Sequence, residues 1–169
     1  MLGNRMIDRL LGWLKEGDQD LSRGKDELQL AVAALLLEAA MVVDGRFDER
    51  ERAIIRGILQ QRFGLSSADA QELLAAAERR VEGTAQLFGF TRTINRRLAR
   101  ERKVEVIEML WEVAYADGVL DPLEDSLLRR VGGLIDVSDH ERGEAKQRVL
   151  RRLGMQPAGE EFLKQSDAP

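Results

Sequence analysis

The 169-residue chain contains no cysteine, which excludes several kinds of chemistry at once. Disulfides, thiolate zinc sites, iron–sulfur clusters and cysteine nucleophiles all require this residue. The single histidine, His140, lies near a predicted helix start, where a surface position is more typical than a catalytic one. There is no glycine-rich phosphate loop either, so the sequence predicts a protein that is not an enzyme.

Aromatic residues are also scarce, at 5% of the chain, and there are only three prolines. Leu, Ala, Glu and Arg dominate instead, and straight-chain residues lose little rotamer freedom in helices, so the composition predicts an all-α fold. The longest apolar stretch, residues 31–43, is interrupted by Glu38 and is too short to cross a bilayer. With no secretory signal visible, we expect a cytoplasmic protein with this stretch in its core.

Positive charge is not in excess, because the formal net charge is −4. A nucleic-acid-binding protein normally carries a basic excess or a basic stripe. The basic run at residues 96–103 is interrupted by Glu101, which is typical of a solvated helix face. A nucleic-acid partner is therefore not expected.

The chain divides into three predicted regions. Residues 1–25 form an amphipathic N-terminal helix and a polar linker, residues 26–153 form one helical domain, and residues 154–169 form a flexible tail. The N-terminal helix either packs its apolar face on the domain or docks to a membrane surface or a partner protein. The spacing leaves both alternatives open.

Hydrophobic periodicity predicts a single domain of about seven to eight helices, counting the N-terminal one. Within the domain the helices are expected at 26–43, 48–62, 66–81, 85–98, 102–115, 122–135 and 139–153.

A shift of 73 residues aligns the second half of the domain with the first. It places the pair Asp44-Gly45 on Asp117-Gly118, and it also matches the apolar positions of the helices on either side. We therefore predict two related helical repeats, at about 26–82 and 99–153, that bury their apolar faces against each other.

Each predicted repeat contains the same acidic turn, Asp-Gly-x-x-Asp-x-x-Glu. The acidic residues are Asp44, Asp48 and Glu51 in the first turn and Asp117, Asp121 and Glu124 in the second. Glycine can adopt the left-handed conformation that closes a helix, and the second aspartate is a good N-cap for the next one. The glutamate three residues later can complete a capping box. Helix capping thus explains most of the pattern.

Capping only partly explains the first aspartate of each turn, since other residues would serve as well before the glycine. Carboxylate oxygens are the ligands that Ca²⁺ and Mg²⁺ prefer, and a helix junction can bring them together. The spacing is not that of an EF-hand, because there is no twelve-residue loop. Two interpretations stay open: capping alone, or capping combined with the binding of a divalent cation or a protein partner.

The two signatures AAMVVDGRFDERE (39–51) and LWEVAYADGVLDPLEDSLLRRV (110–131) resemble the tellurite-resistance TerB-like family, in its stand-alone branch. The resemblance covers about residues 26–153. It implies an all-helical fold of two related halves and a role in stress-linked complexes, often at the membrane, rather than in catalysis. It also implies that the acidic cluster of this family, suspected of binding metal ions, corresponds to Asp44, Asp48, Glu51, Asp117, Asp121 and Glu124.

Two functions follow as expectations. The first is a stress-related binding module whose acidic turns bind Ca²⁺, Mg²⁺ or a partner protein. The second is a scaffolding protein in which the carboxylates only cap helices and the N-terminal helix docks to a membrane or a partner.

Overall fold

Seven α-helices make up the part of the chain that the computed structural model describes, residues 21–83 and 87–155. They are α1 (Leu21–Met41), α2 (Glu49–Phe63), α3 (Ser67–Gly83), α4 (Leu87–Arg97), α5 (Arg100–Ala114), α6 (Pro122–Leu134) and α7 (Asp139–Arg152). The predicted all-α single domain is confirmed. The predicted helix at the N-terminus and the tail after Met155 lie outside the described residues.

Helix boundaries follow the sequence signals closely, with one difference at the start. Asp48, Asp121 and Ser138 adopt extended backbone and cap α2, α6 and α7 with their side chains. Pro122 occupies the first turn of α6, where its missing N–H costs no hydrogen bond. Helix α1, however, begins at Leu21 rather than at residue 26, so that the helix includes the last residues of the segment predicted as linker.

Two helices, α1 and α5, form the centre of the domain. Residues 31–37 of α1 are almost completely buried, because α1 is in contact with α2, α3, α4, α5 and α6. Residues 106–111 of α5 are buried as well. The indole N–H of Trp111 donates a hydrogen bond to the Arg142 carbonyl at 3.1 Å. A helix that is apolar on most of its circumference must be covered on most sides, and the remaining helices do this.

A buried network of charged side chains ties three helices together. Arg62 on α2 and Glu108 on α5 are only 8% and 7% exposed. Glu108 accepts hydrogen bonds from Arg148 at 2.7 Å and Arg152 at 3.2 Å on α7, while Glu112 accepts from Arg62 at 2.6 Å. Burial opposes the ionisation of Glu108, yet the surrounding arginines hold its pKa below the usual range. The partners are distant in sequence, so no local pattern predicts this network.

Replacing Glu108 by Gln should lower the free energy of unfolding by about 2 kcal/mol, because it removes the buried charge that compensates the buried Arg62 and the partly exposed Arg148 and Arg152. Urea denaturation followed by circular dichroism measures this change. The exposed Glu144 on α7 provides the control, since Glu144→Gln should alter stability by no more than about 0.5 kcal/mol. Equal stability of the two variants would show that the network does not hold the three helices together.

Candidate functional site: an acidic cavity between two helix junctions

The first acidic turn connects α1 to α2. Gly45 has φ +71° and donates its N–H to the Met41 carbonyl at 2.8 Å, which closes α1. Asp48 accepts from the Glu51 N–H at 2.8 Å, and Glu51 accepts from the Asp48 N–H at 3.1 Å. This reciprocal pair is the capping box that the sequence predicts.

The second acidic turn connects α5 to α6 and resembles the first in its backbone. Gly118 has φ +85° and donates its N–H to the Tyr115 carbonyl at 3.0 Å. Asp121 is again the N-cap of the helix that follows. A side chain at Gly45 or Gly118 would meet no atom within 4 Å, so the glycines are needed for their backbone conformation and not for space.

The first aspartate of each turn has a local structural role. An Asp44 carboxylate oxygen accepts the Arg46 N–H at 2.9 Å, and an Asp117 oxygen accepts the Val119 N–H at 3.1 Å. Each is an Asx-type turn, in which an aspartate bonds the backbone two residues further on. Both aspartates remain exposed, and a carboxylate has lone pairs beyond the one used in such a bond.

The third acidic position differs between the two turns. In the second turn the Asp121 side chain accepts from the Leu123 N–H at 2.8 Å rather than from the amide of Glu124. The predicted reciprocal capping box is therefore wrong at this junction. Glu124 is only 8% exposed, whereas Glu51 is partly exposed.

All six acidic residues line one cavity of about 340 Å³. The C-terminal ends of α1 and α5 contribute Ala40, Val113 and Ala114, and the two turns contribute Val43, Ala116 and Val119. Carboxylates from turns 73 residues apart in sequence thus face the same space. The cavity borders the C-terminal ends of α1 and α5 and also the first turns of α2 and α6, so that the partial negative and partial positive charges of these helix ends oppose each other and the excess negative charge comes from the carboxylates.

Among the carboxyl groups of this cavity, Glu124 has the pKa that is raised most by burial and by the neighbouring negative charges. Burial, the charge of Asp117 and those of Asp121 and Glu51 raise the pKa of Glu124 to about 7, while a backbone hydrogen bond from Asp121 opposes the shift. Near neutral pH this carboxyl is therefore divided between its neutral and ionised forms. Since Glu51 belongs to the first turn, the two turns interact electrostatically.

Glu51 shows the same effect more weakly. Its pKa is raised first by burial and then by the charges of Asp48, Asp44 and Asp117, against a backbone hydrogen bond from Asp48. Each turn thus makes ionisation harder in the other, which is the environment that a bound cation would relieve.

The carboxylates are neighbours without forming a closed ligand cage. Among the described residues, no three side chains of His, Cys, Asp or Glu converge in a way that would hold a metal ion directly. The proposed ligand set of Asp44, Asp48, Glu51, Asp117, Asp121 and Glu124 therefore stays a prediction. An ion that keeps its water shell is compatible with this arrangement, because its contacts to carboxylates run through water.

Sequence reasoning missed the apolar and basic parts of the lining. Ile54 and Val119 belong to the wall, and Arg50 is the basic residue among the described residues that line it. Arg50 lies inside the acidic motif, and its place beside Glu49 and Glu51 suggests only a solvated first turn. Arg50 becomes part of a cavity only because the second junction lies next to the first, and this proximity depends on tertiary packing.

The fold and this cavity together define a class of protein: a small all-helical domain with two capped helix junctions that share an acidic cavity. A model of the family described as tellurite resistance protein TerB matches residues 29–147. This is well over half of the chain and includes both junctions. The chain belongs to the TerB family, and the resemblance inferred from the two signatures is confirmed.

Comparison with curated proteins and with solved structures found no match to the chain. Within the described ranges, no helix is long and apolar enough to span a membrane.

The Glu124 carboxyl should make stability depend on pH. Its pKa is higher in the folded state, about 7, than the ordinary value of 4.5 expected after unfolding. Its contribution to stability is therefore fully present below about pH 4.5 and is lost as the pH rises through about 7, by on the order of 3 kcal/mol.

Replacing Glu124 by Gln should remove this dependence, so that the variant exceeds the wild-type chain in stability at pH 8 but not at pH 4.5. Urea unfolding at a series of pH values gives the difference between the two proteins. Glu101→Gln, at an exposed position of α5, is the matched control and should follow the wild-type curve. Parallel curves for wild type and Glu124→Gln would contradict the raised pKa.

Proposed function

We propose that this TerB-family chain is a non-enzymatic binding module that takes up a divalent cation, Ca²⁺ or Mg²⁺, in the acidic cavity. The observation that carries the proposal is the convergence of six carboxylates from two junctions on one space, with Arg50 as the basic lining residue in the described part of the chain. Hard cations prefer oxygen ligands of this kind.

The energetic argument is that the cavity is unfavourable when all its carboxylates are ionised. The raised pKa values of Glu51 and Glu124 express this cost. A divalent cation would offset the repulsion among Glu51, Asp117 and Glu124 and would favour their ionised forms. Protons and cations should therefore compete for the cavity.

Cavity size favours a hydrated ion. A water molecule occupies about 30 Å³ in the liquid, so an ion with six waters needs on the order of 200 Å³. The cavity of about 340 Å³ accommodates this volume. Mg²⁺ in particular keeps several of its waters when proteins bind it, which suits carboxylates that do not converge on one point.

The chemistry of the lining suits the binding of a cation. The described lining residues are carboxylates, aliphatic side chains and one arginine. We accordingly propose a role in a stress response linked to tellurite or metal ions, which the family description supports, and a location in the cytoplasm.

We also propose that the two junctions descend from one duplicated unit. Helices α1 and α5 end at Met41 and Ala114, and the N-caps that follow are Asp48 and Asp121, so that both pairs are separated by 73 residues. The positive φ of both glycines and the Asx bonds of both first aspartates agree with this origin. The cation site would then lie between equivalent parts of the two repeats.

The alternative function is that of a scaffold in which the acidic residues only shape the turns and the helix predicted for the N-terminal residues docks to a membrane or a partner. The Asx bonds of Asp44 and Asp117 favour it, because they give these residues a structural purpose. A third proposal is that the cavity binds a basic side chain of a partner protein, which the same carboxylates would attract.

The double substitution Asp44→Asn and Asp117→Asn separates charge from structure. An asparagine side chain keeps an oxygen that can accept the Arg46 or Val119 N–H, but it carries no charge. We expect the variant to remain as stable as the wild type while its affinity for Mg²⁺ or Ca²⁺ falls by about tenfold, since two charges near the ion are lost.

Titration of each metal chloride, followed through the amide resonances of Gly45 and Gly118, measures both proteins at pH 8 and at pH 6. Affinity in the wild type should be higher at pH 8, where Glu124 is ionised. Asp69→Asn with Asp139→Asn is the control, because it removes two first-turn acids that are outside the cavity. An absence of localised shifts at millimolar metal in the wild type would reject cation binding and leave the scaffold.

A further inference from the structure

The outer face of α4 combines an exposed aromatic ring with two arginines. The buried residues of the helix are Leu87, Phe90, Thr91 and Ile94, which face α1 and α6. Phe88, Arg92 and Arg96 follow one another at intervals of four residues and therefore form one stripe on the opposite side. Phe88 is 65% exposed, and both arginines are exposed as well.

The two arginines differ from their basic neighbours in having no partner within the described residues. Arg97 is paired with Glu27 at 3.1 Å and Arg100 with Glu141 at 2.6 Å. Arg92 and Arg96 make no such ion pair in the part of the chain that the structure describes. Both guanidinium groups are therefore exposed beside a solvent-facing ring without a carboxylate partner among the described residues, so that their charge is available to an anionic partner.

We propose that this stripe, Phe88, Arg92 and Arg96, is a contact surface for membranes that contain anionic phospholipids. A helix lying in the interface inserts its apolar side chains at the boundary of the acyl chains and keeps its cations among the headgroups. The guanidinium fork matches phosphate geometry, and Phe88 supplies the inserted ring. The acidic cavity has no part in this contact, so the proposal does not depend on cation binding.

A nucleic acid is the less suitable anionic partner. Binding to single strands needs a positive groove and several aromatic side chains on which bases stack. The stripe offers one ring and two arginines, and the chain as a whole is acidic. A lipid surface requires no groove and can be met by a single flat helix face.

The strength expected of this contact is modest. A basic residue near an anionic surface improves binding by about fivefold, and stable membrane attachment requires a second signal. The stripe should thus orient a protein that is held only briefly, or reinforce an attachment through residues outside the described part of the chain. Its contribution is measurable as a difference between variants.

Co-sedimentation of the full chain with vesicles tests the proposal. The variant Phe88→Ala, Arg92→Gln and Arg96→Gln should partition to phosphatidylcholine–phosphatidylglycerol vesicles at least about tenfold less than the wild type. The control, Leu153→Ala with Arg129→Gln and Arg130→Gln, removes the same charge and one exposed apolar residue from α6 and the end of α7, and should partition like the wild type. Circular dichroism checks that both variants fold.

Three results would overturn the assignment. The first is equal partitioning of the two variants. The second is binding of the wild type to pure phosphatidylcholine as strong as to the anionic vesicles. The third is a mobility shift of single-stranded oligonucleotides that depends on the stripe, without any binding to vesicles. This result would assign the face to nucleic-acid binding. The Leu10→Glu variant provides a further comparison: if it abolishes binding while the α4 variant leaves it unchanged, the contact lies in the N-terminal region instead.

Discussion

The whole arrangement depends on the burial of two helices, α1 and α5, that are apolar on most of their circumference. Neither can be covered by a single neighbour, so they pack against each other and the other five described helices enclose them. Because both end at the same side of the domain, the turns that follow them are brought together. The acidic cavity is thus a consequence of hydrophobic packing, which sets where the carboxylates must lie.

Two groups of charged residues show how differently a helical domain can treat buried charge. The network of Arg62, Glu108 and Arg148 contains both signs, and the arginines keep the Glu108 carboxyl ionised. The cavity gathers mainly one sign, and there Glu124 has a raised pKa. Mixed charge holds helices together, whereas uncompensated charge of one sign leaves a place that favours a cation or a proton.

Much of the fold could be predicted from the sequence because its signals are local. Asp48, Pro122 and Ser138 mark helix starts through hydrogen bonds and φ values that involve neighbours only a few residues away. The sequence predicts a start of α1 at residue 26, five residues after the observed start, because Ser22 and Gly24 are weak helix formers that nevertheless lie within the helix.

The candidate site was predictable in its residues but not in its geometry. The repeated motif identified all six acids of the lining. It could not indicate that both turns face one cavity, that Glu124 is buried while the Asp121 side chain bonds Leu123 instead of Glu124, or that Phe88 and Arg92 have no partner among the described residues. These features depend on which helices become neighbours, and such contacts join residues that are far apart in sequence.

Half of the cavity wall comes from each junction, and this has a consequence for ancestry. A chain with only one helix–turn–helix unit would present three carboxylates on an open surface. If the duplication proposed above took place, the single-unit ancestor could enclose the same space only as a symmetric pair of identical chains. Fusion of the two copies would then have let each junction diverge, as the partly exposed Glu51 and the buried Glu124 now differ.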